Sequence, residues 1–165
     1  MSGLNVSRTR NRTVLVWTLA TLALTGAAAG GSEDSALVEV SPSVVMLQNE
    51  RGSNITCIAL DDGLVFVDTG LSTEVAAHFR KTMEERFNRP TQALLLTHGH
   101  LDHIFAMGAF AGVDVVAAEA GRPLIEHQLA IEFDEKAIAV YTGIFPTFAE
   151  DVGTAAPFIP TVWFD

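Results

Sequence analysis

The chain has 165 residues, of which 48% are hydrophobic, so it can bury one core but not those of two domains of ordinary size. Its 20 acidic and 10 basic residues give a formal net charge of -10, and a surface this acidic repels the phosphate backbone of nucleic acids. The composition therefore favours one folding unit and argues against nucleic acid as a partner.

The first 31 residues differ from the rest. Their only charges are three arginines, followed by an apolar run from Val14 to Leu24 and then by small residues. This succession predicts a secretory signal peptide at residues 1-31, with Ala27-Ala28-Ala29 as a cleavage site, and hence an exported protein. The alternative is a membrane anchor formed by residues 13-30, which are slightly short of a spanning helix. The predicted domain, residues 32-165, carries every acidic residue of the chain.

Short strands are predicted next. Two β-branched runs between residues 36 and 47 read as the opening strands of a meander. The runs Ile55–Leu60 and Leu64–Val67 flank Asp61-Asp62-Gly63, whose Asp-Gly pair is a strong hairpin signal. This hairpin brings the residue that follows it, Asp68, to the end of a sheet.

A helix is predicted from an N-cap at Ser72 to about Phe87, because apolar residues recur there at helical spacing. His78 lies off this apolar stripe and is expected to be a solvated surface residue. The next strand, Thr91–Leu96, has an apolar centre without alternation, which is typical of a strand buried on both faces. Its carboxyl end is the edge at which open α/β sheets commonly place ligand sites.

The segment after this strand is the most informative part of the sequence. Residues 97-103 read Thr-His-Gly-His-Leu-Asp-His and so place three imidazoles and one carboxylate within six positions. Imidazole nitrogen and carboxylate oxygen suit Zn²⁺ and neighbouring first-row ions. In an extended chain His98 and His100 face the same way and can share one ion, while Asp102 and His103 can reach a neighbouring position. The alternative is a polar surface turn.

This motif, His-x-His-x-Asp-His at residues 98-103, resembles the signature of the metallo-β-lactamase-fold hydrolases. The stretches Gly52–Leu60 and Gly63–Gly70 resemble the second and third strands of that family and the aspartate-bearing turn that follows them. The resemblance implies an α/β fold, the αββα sandwich, of which this chain carries the first half.

The resemblance also implies a set of roles for these residues. His98 and His100 would bind a first zinc ion, and Asp102 and His103 a second, with iron as the alternative metal. Asp68 would orient the ligands without binding the metal itself. The reaction implied is hydrolysis of an ester, thioester, lactone or lactam by a metal-activated hydroxide, with Asp102 as a catalytic residue that accepts a proton or steers the leaving group.

Beyond the motif, the sequence predicts a short helix up to Phe110, a strand at Asp114–Ala118 and a helix from Pro123 to about Phe133. The tail, Tyr141–Asp165, has little periodicity, and its aromatic side chains are expected to be partly unpaired. Cys57 is the only cysteine, which rules out an intrachain disulfide, and it is expected to be a buried small residue.

The family completes its site with a later histidine, a bridging aspartate and a last histidine. After His103 the only histidine is His127, which sits in a helical pattern. The sequence therefore predicts a truncated N-terminal part of the domain, with a small molecule as substrate and a second chain or a missing C-terminal half as partner. The alternatives are a catalytically silent half-domain, one half of an assembly, or an iron-dependent redox relative.

Overall fold

Seven strands form a single sheet in which the spatial order of the strands is their order along the chain. The strands are β1 Ser35–Ser41, β2 Val44–Asn49, β3 Ile55–Ala59, β4 Leu64–Val67, β5 Thr91–Leu95, β6 Asp114–Ala118 and β7 Val162–Phe164. The pairs β1–β2, β2–β3 and β3–β4 are antiparallel, whereas the pairs β4–β5, β5–β6 and β6–β7 are parallel. Parallel neighbours need crossover connections, and helical segments provide them.

The structure is a computed structural model that describes residues 35-49 and 52-165. The predicted signal peptide or membrane anchor, residues 1-31, lies outside the described residues. Within the described part, no helix is both long enough and apolar enough to cross a membrane.

The helical segments follow β4, β5 and β6. The α-helices are α1 Thr73–Phe87, α2 Leu101–Ile104, α3 Arg122–Leu129, α4 Glu135–Thr142 and α5 Phe148–Asp151. Short 3-10 helices follow α2 at Phe105–Phe110 and precede α3 at Glu119–Gly121. The predicted cap of α1 is confirmed, because the Ser72 side chain accepts a hydrogen bond from the Val75 amide.

Helices α1, α2 and α3 and the 3-10 helix at Phe105–Phe110 pack against one face of the sheet, where alternate strand residues form the core. Phe66 on β4 lies at its centre and packs against Phe79 of α1, with ring centroids 5.7 Å apart, and against Phe110, at 5.1 Å. Cys57 lies on the same face and is fully buried, as predicted. Burial raises the pKa of its thiol to about 12, so the residue serves as a small core side chain and not as a nucleophile.

The opposite face of the sheet is apolar but incompletely covered. Paired residues, one from each strand, cross the whole sheet on this face: Val38, Met46, Thr56, Val67, Leu95, Val116 and Val162. The prediction that β5 is buried on both faces is wrong, since Leu94 is 0% exposed but Leu95 is 36% exposed. The described chain thus provides one helix layer and one sheet of an αββα arrangement.

The tail is more ordered than the sequence predicted. Phe148 at the start of α5 is 0% exposed, and its ring stacks on Phe105 at 5.2 Å and on Tyr141 at 5.1 Å. Phe133 packs against the same ring. The expectation of unpaired aromatic side chains is therefore wrong for this cluster. Its contacts join residues far apart in the chain, and the short helices α4 and α5 give little periodicity to detect.

The cluster can be tested by replacing Phe148 with alanine. We expect Phe148→Ala to lower the free energy of unfolding by about 3 to 5 kcal/mol, because it leaves a cavity among packed rings. Phe164→Ala is the control, since that ring is 54% exposed, and should cost clearly less. Urea unfolding followed by circular dichroism measures both changes, and equal losses would contradict the packing described.

Candidate metal centre

The pairing of β4 with β5 brings Asp68 beside the histidine segment, which we define as residues 97-103. The two strands are parallel, with Val67 opposite Leu95, so the residues that follow them lie at the same edge of the sheet. The amide of Asp68 extends the ladder by donating to the carbonyl of Leu95 at 2.9 Å. The side chain of Asp68 is therefore held next to the histidine segment.

The carboxylate of Asp68 contacts three groups of the histidine segment. Its Oδ1 accepts a hydrogen bond from the Thr97 amide at 2.9 Å, and its Oδ2 accepts one from the Thr97 hydroxyl at 2.7 Å. Oδ2 also lies 2.8 Å from Nδ1 of His103. Asp68 itself has a left-handed backbone, with φ of 59°, which is uncommon for residues other than glycine and clusters at functional sites.

These contacts fix the tautomers of two histidines. The Thr97 hydroxyl gives its only hydrogen to Asp68, so it can only accept from Nδ1 of His98, which lies 3.0 Å away. Nδ1 of His103 likewise donates to Asp68. In the neutral form, both rings then present an Nε2 lone pair, which is the form of imidazole that binds a metal.

The predicted ligands lie in two adjacent pairs. Nε2 of His98 is 3.0 Å from Nδ1 of His100, and Nε2 of His103 is 3.5 Å from Oδ2 of Asp102. Two nitrogens bound to one tetrahedral zinc ion lie about 3.3 Å apart, given Zn–N bonds of about 2.0 to 2.1 Å. The ring centroids of His98 and His103 are 4.0 Å apart, so the two pairs form one cluster.

Each pair fits two positions around an ion, but the cluster is not a complete metal site. Within residues 35-49 and 52-165, no group of three or more His, Cys, Asp or Glu side chains is arranged to hold one ion. The remaining histidines are exposed on helices, His78 on α1, as predicted, and His127 on α3. The donor types and spacing therefore suit zinc, while the ligand count falls short of the three protein ligands of a catalytic zinc.

The electrostatic environment differs between the two fixed histidines. Burial lowers the pKa of His98, and the neighbouring imidazoles of His103 and His100 lower it further. Burial acts in the same direction on His103, but the hydrogen bond and the negative charge of Asp68 outweigh it and raise the pKa of His103. His98 is thus neutral at pH 7, whereas a metal ion at His103 would compete with a proton.

Comparison with known proteins identifies the family. The profile of the metallo-beta-lactamase superfamily matches residues 49-160, well over half of the chain. The chain belongs to this superfamily. It is also similar to the crystal structure of a metallo beta lactamase from Hirschia baltica, with a TM-score of 0.53 and 22% identity over 58% of this chain and 48% of that one. At this identity the likeness concerns the fold alone.

The chain is also similar to an (R)-specific secondary-alkylsulfatase from a Pseudomonas species. The two are 32% identical over 87 residues, which are 52% of this chain and 13% of the alkylsulfatase. The chain therefore spans a small part of that relative and about half of the Hirschia baltica structure. Together the matches support a family of hydrolase type.

Two contacts of the site were not predicted from the sequence. The Ser53 hydroxyl donates to the main-chain carbonyl of Asp102 and so ties the connection between β2 and β3 to the histidine segment. Gly99 lies directly against α3, where an added Cβ would come within 2.9 Å of the Ile125 amide nitrogen. A glycine inside a ligand motif could have suggested such a close approach, but the sequence gives no sign of its partner.

A groove of about 490 Å³ lies beside the candidate ligands. Met46, Thr56 and Val67, three residues of the open sheet face, line it together with Asp102 and His103. The open face of the sheet therefore continues to the cluster of candidate ligands.

The control of His103 by Asp68 can be tested in the metal-free protein. We expect Asp68→Asn to lower the pKa of His103, because it removes the negative charge, while asparagine still tolerates a left-handed backbone. Asp102→Asn should lower it less, since Asp102 acts on His103 only through its charge. An NMR titration of the histidine ring protons measures both changes.

The same shift predicts a change in stability with pH. The folded-state pKa of His103 lies above 6.5, so its pairing with Asp68 stabilises the fold fully below pH 6.5, and this contribution is lost as the pH rises through the folded-state pKa. Asp68→Asn should flatten this part of the pH profile of the free energy of unfolding. An unaltered His103 titration in the variant would contradict the role given to Asp68.

Proposed function

We propose that this chain carries the metal-binding part of an exported, zinc-dependent hydrolase. His98 and His100 would hold one ion, and Asp102 and His103 a second. The observation that carries the proposal is the hydrogen-bond network of Asp68, which sets the tautomers so that the Nε2 atoms of both His98 and His103 carry a lone pair in the neutral rings.

Zinc, when bound in such a site, supplies a water molecule with a pKa near 7 and polarises the bond to be cleaved. The residues of the chain would orient the ligands and transfer protons. Asp68 holds His103 in its ligand tautomer, and Asp102 can accept a proton or steer the leaving group. The groove beside the cluster offers the apolar surface of Met46 and Val67 to a small-molecule substrate.

An ester, thioester, lactone or lactam suits this chemistry, because each has a carbonyl that a metal can polarise. The similarity to an alkylsulfatase favours a second substrate class, a sulfate ester, which a site of the same kind could hydrolyse. The groove lining includes no lysine or arginine among the described residues, so an anionic group would depend on the metal for its charge partner.

We further propose that a second chain or a C-terminal half completes the site. The open apolar face of the sheet and the two-ligand pairs support this proposal, as does the span of about half of the Hirschia baltica structure. Export is supported by the basic and then apolar composition of residues 1-31.

The ligand assignment is tested by metal content. We expect His100→Ala to abolish tight zinc uptake at the first position, because that pair would keep a single ligand. His78→Ala replaces an exposed histidine on α1 and should bind as much metal as the unchanged protein. Elemental analysis after dialysis measures zinc and iron together and so identifies the metal. Unchanged zinc stoichiometry in His100→Ala would overturn the ligand assignment.

Catalysis is tested separately. We expect the 165-residue chain alone not to hydrolyse a chromogenic lactam, lactone or aryl sulfate at an enzymatic rate, because the described residues offer two ligands per ion where catalytic zinc normally has three. The hydrolysis rate is measured with and without added zinc, and chelator is the control. Robust turnover that chelator removes would show that the chain completes its own site, for example through a second copy.

A further inference from the structure

Thr69, the residue after Asp68, contacts a break at Ala106, the second residue of the 3-10 helix that follows α2. The four-residue helix α2 ends at Ile104, and Ala106 has a non-helical backbone, with φ of -89° and ψ of 20°. Helix ends leave carbonyl and amide groups without a partner in the helix itself. Here the groups beside the break include the carbonyl of His103 and the amide of Ala106.

Both groups are bound by Thr69. Its hydroxyl lies 3.0 Å from the His103 carbonyl oxygen, to which it can donate, and it accepts from the Ala106 amide at 3.2 Å. The same amide also donates to the Gly70 carbonyl, at 3.3 Å. The Thr69 amide also donates to the His103 carbonyl, at 3.1 Å. The hydroxyl hydrogen has one alternative acceptor, the Gly70 carbonyl at 3.1 Å. Thr69 is 0% exposed, so water cannot replace the hydroxyl without local opening.

Asp68 and Thr69 thus hold the same histidine at two points. Asp68 contacts the ring nitrogen of His103, and Thr69 contacts its main-chain carbonyl. If only the ring nitrogen were held, the ring could still shift when the backbone of His103 moves. Hydrogen bonds to both the ring and the main-chain carbonyl restrict this movement. We propose that Thr69 is a positioning residue that fixes the backbone of His103 and thereby its metal-binding geometry. This inference rests on the proposed zinc-dependent function.

The experiment compares three variants of the full chain. Thr69→Val keeps the shape of the side chain but removes the hydroxyl, and Thr69→Ser restores the hydroxyl. Thr91→Val is the matched control, because Thr91 is also buried and its hydroxyl also makes hydrogen bonds, with Glu84 and Arg80, but at the opposite end of β5. If Thr69→Val does not fold by circular dichroism, Thr69→Ala takes its place with the same expectation.

The first measurement is zinc affinity, by competition with a chromophoric chelator. We expect Thr69→Val to weaken it by tenfold or more, as is typical when the support of a ligand is lost, and Thr69→Ser to stay within about threefold of the unchanged protein. Thr91→Val should lower thermal stability without weakening zinc binding. Equal zinc affinity in Thr69→Val and the unchanged protein, or equal weakening in Thr91→Val, would overturn the positioning role.

The second measurement needs no metal. Hydrogen exchange of the Ala106 amide should be measurably faster in Thr69→Val than in the unchanged protein, because only the longer bond to the Gly70 carbonyl remains, and nearly unchanged in Thr69→Ser. Unchanged exchange in Thr69→Val would overturn the inference even if zinc binding were weaker. Failure of the unchanged protein to bind zinc would instead count against the proposed function, and the exchange of Ala106 would still decide whether Thr69 holds the break.

Discussion

The carboxylate of Asp68 is the constraint on which the candidate metal centre depends. It accepts hydrogen bonds from the amide and the hydroxyl of Thr97 and from the ring of His103. These three contacts connect the ends of two neighbouring parallel strands to the cluster of candidate ligands. The left-handed backbone of Asp68 is unfavourable for a residue with a side chain, so the surrounding contacts must hold it there. Through the Thr97 hydroxyl, the same carboxylate also determines which nitrogen of His98 carries the hydrogen and which the lone pair.

Much of this arrangement follows from local sequence. The Asp-Gly hairpin, the cap at Ser72 and the apolar strand before the histidine segment each have a nearby cause, so the positions of Asp68 and of residues 98-103 on one sheet edge could be predicted. The roles of Ser53 and Thr69 could not. Each forms a hydrogen bond with a main-chain carbonyl more than 30 positions away. Because every residue has a main-chain carbonyl, the sequence does not indicate which one is bound.

The two incorrect predictions share a physical origin. Apolar residues on β5 indicated burial on both faces, but Leu95 remains partly exposed. An apolar side chain is stabilised if another element covers it, yet its presence does not show that such an element exists. In the tail, the aromatic side chains were expected to be partly unpaired because the local pattern was weak, yet Phe148 stacks on both Phe105 and Tyr141. In both cases the outcome depends on tertiary contacts, which local periodicity does not contain.

The deep burial of Cys57 makes the only thiol of the chain a natural reporter of unfolding. Because burial raises the pKa of this thiol to about 12, the folded protein carries almost no reactive thiolate at pH 7, so oxidants and thiol reagents have little to attack. Reaction therefore proceeds through molecules in which the sheet has opened. The labelling rate of this one residue measures how often the core around Phe66 is exposed to solvent.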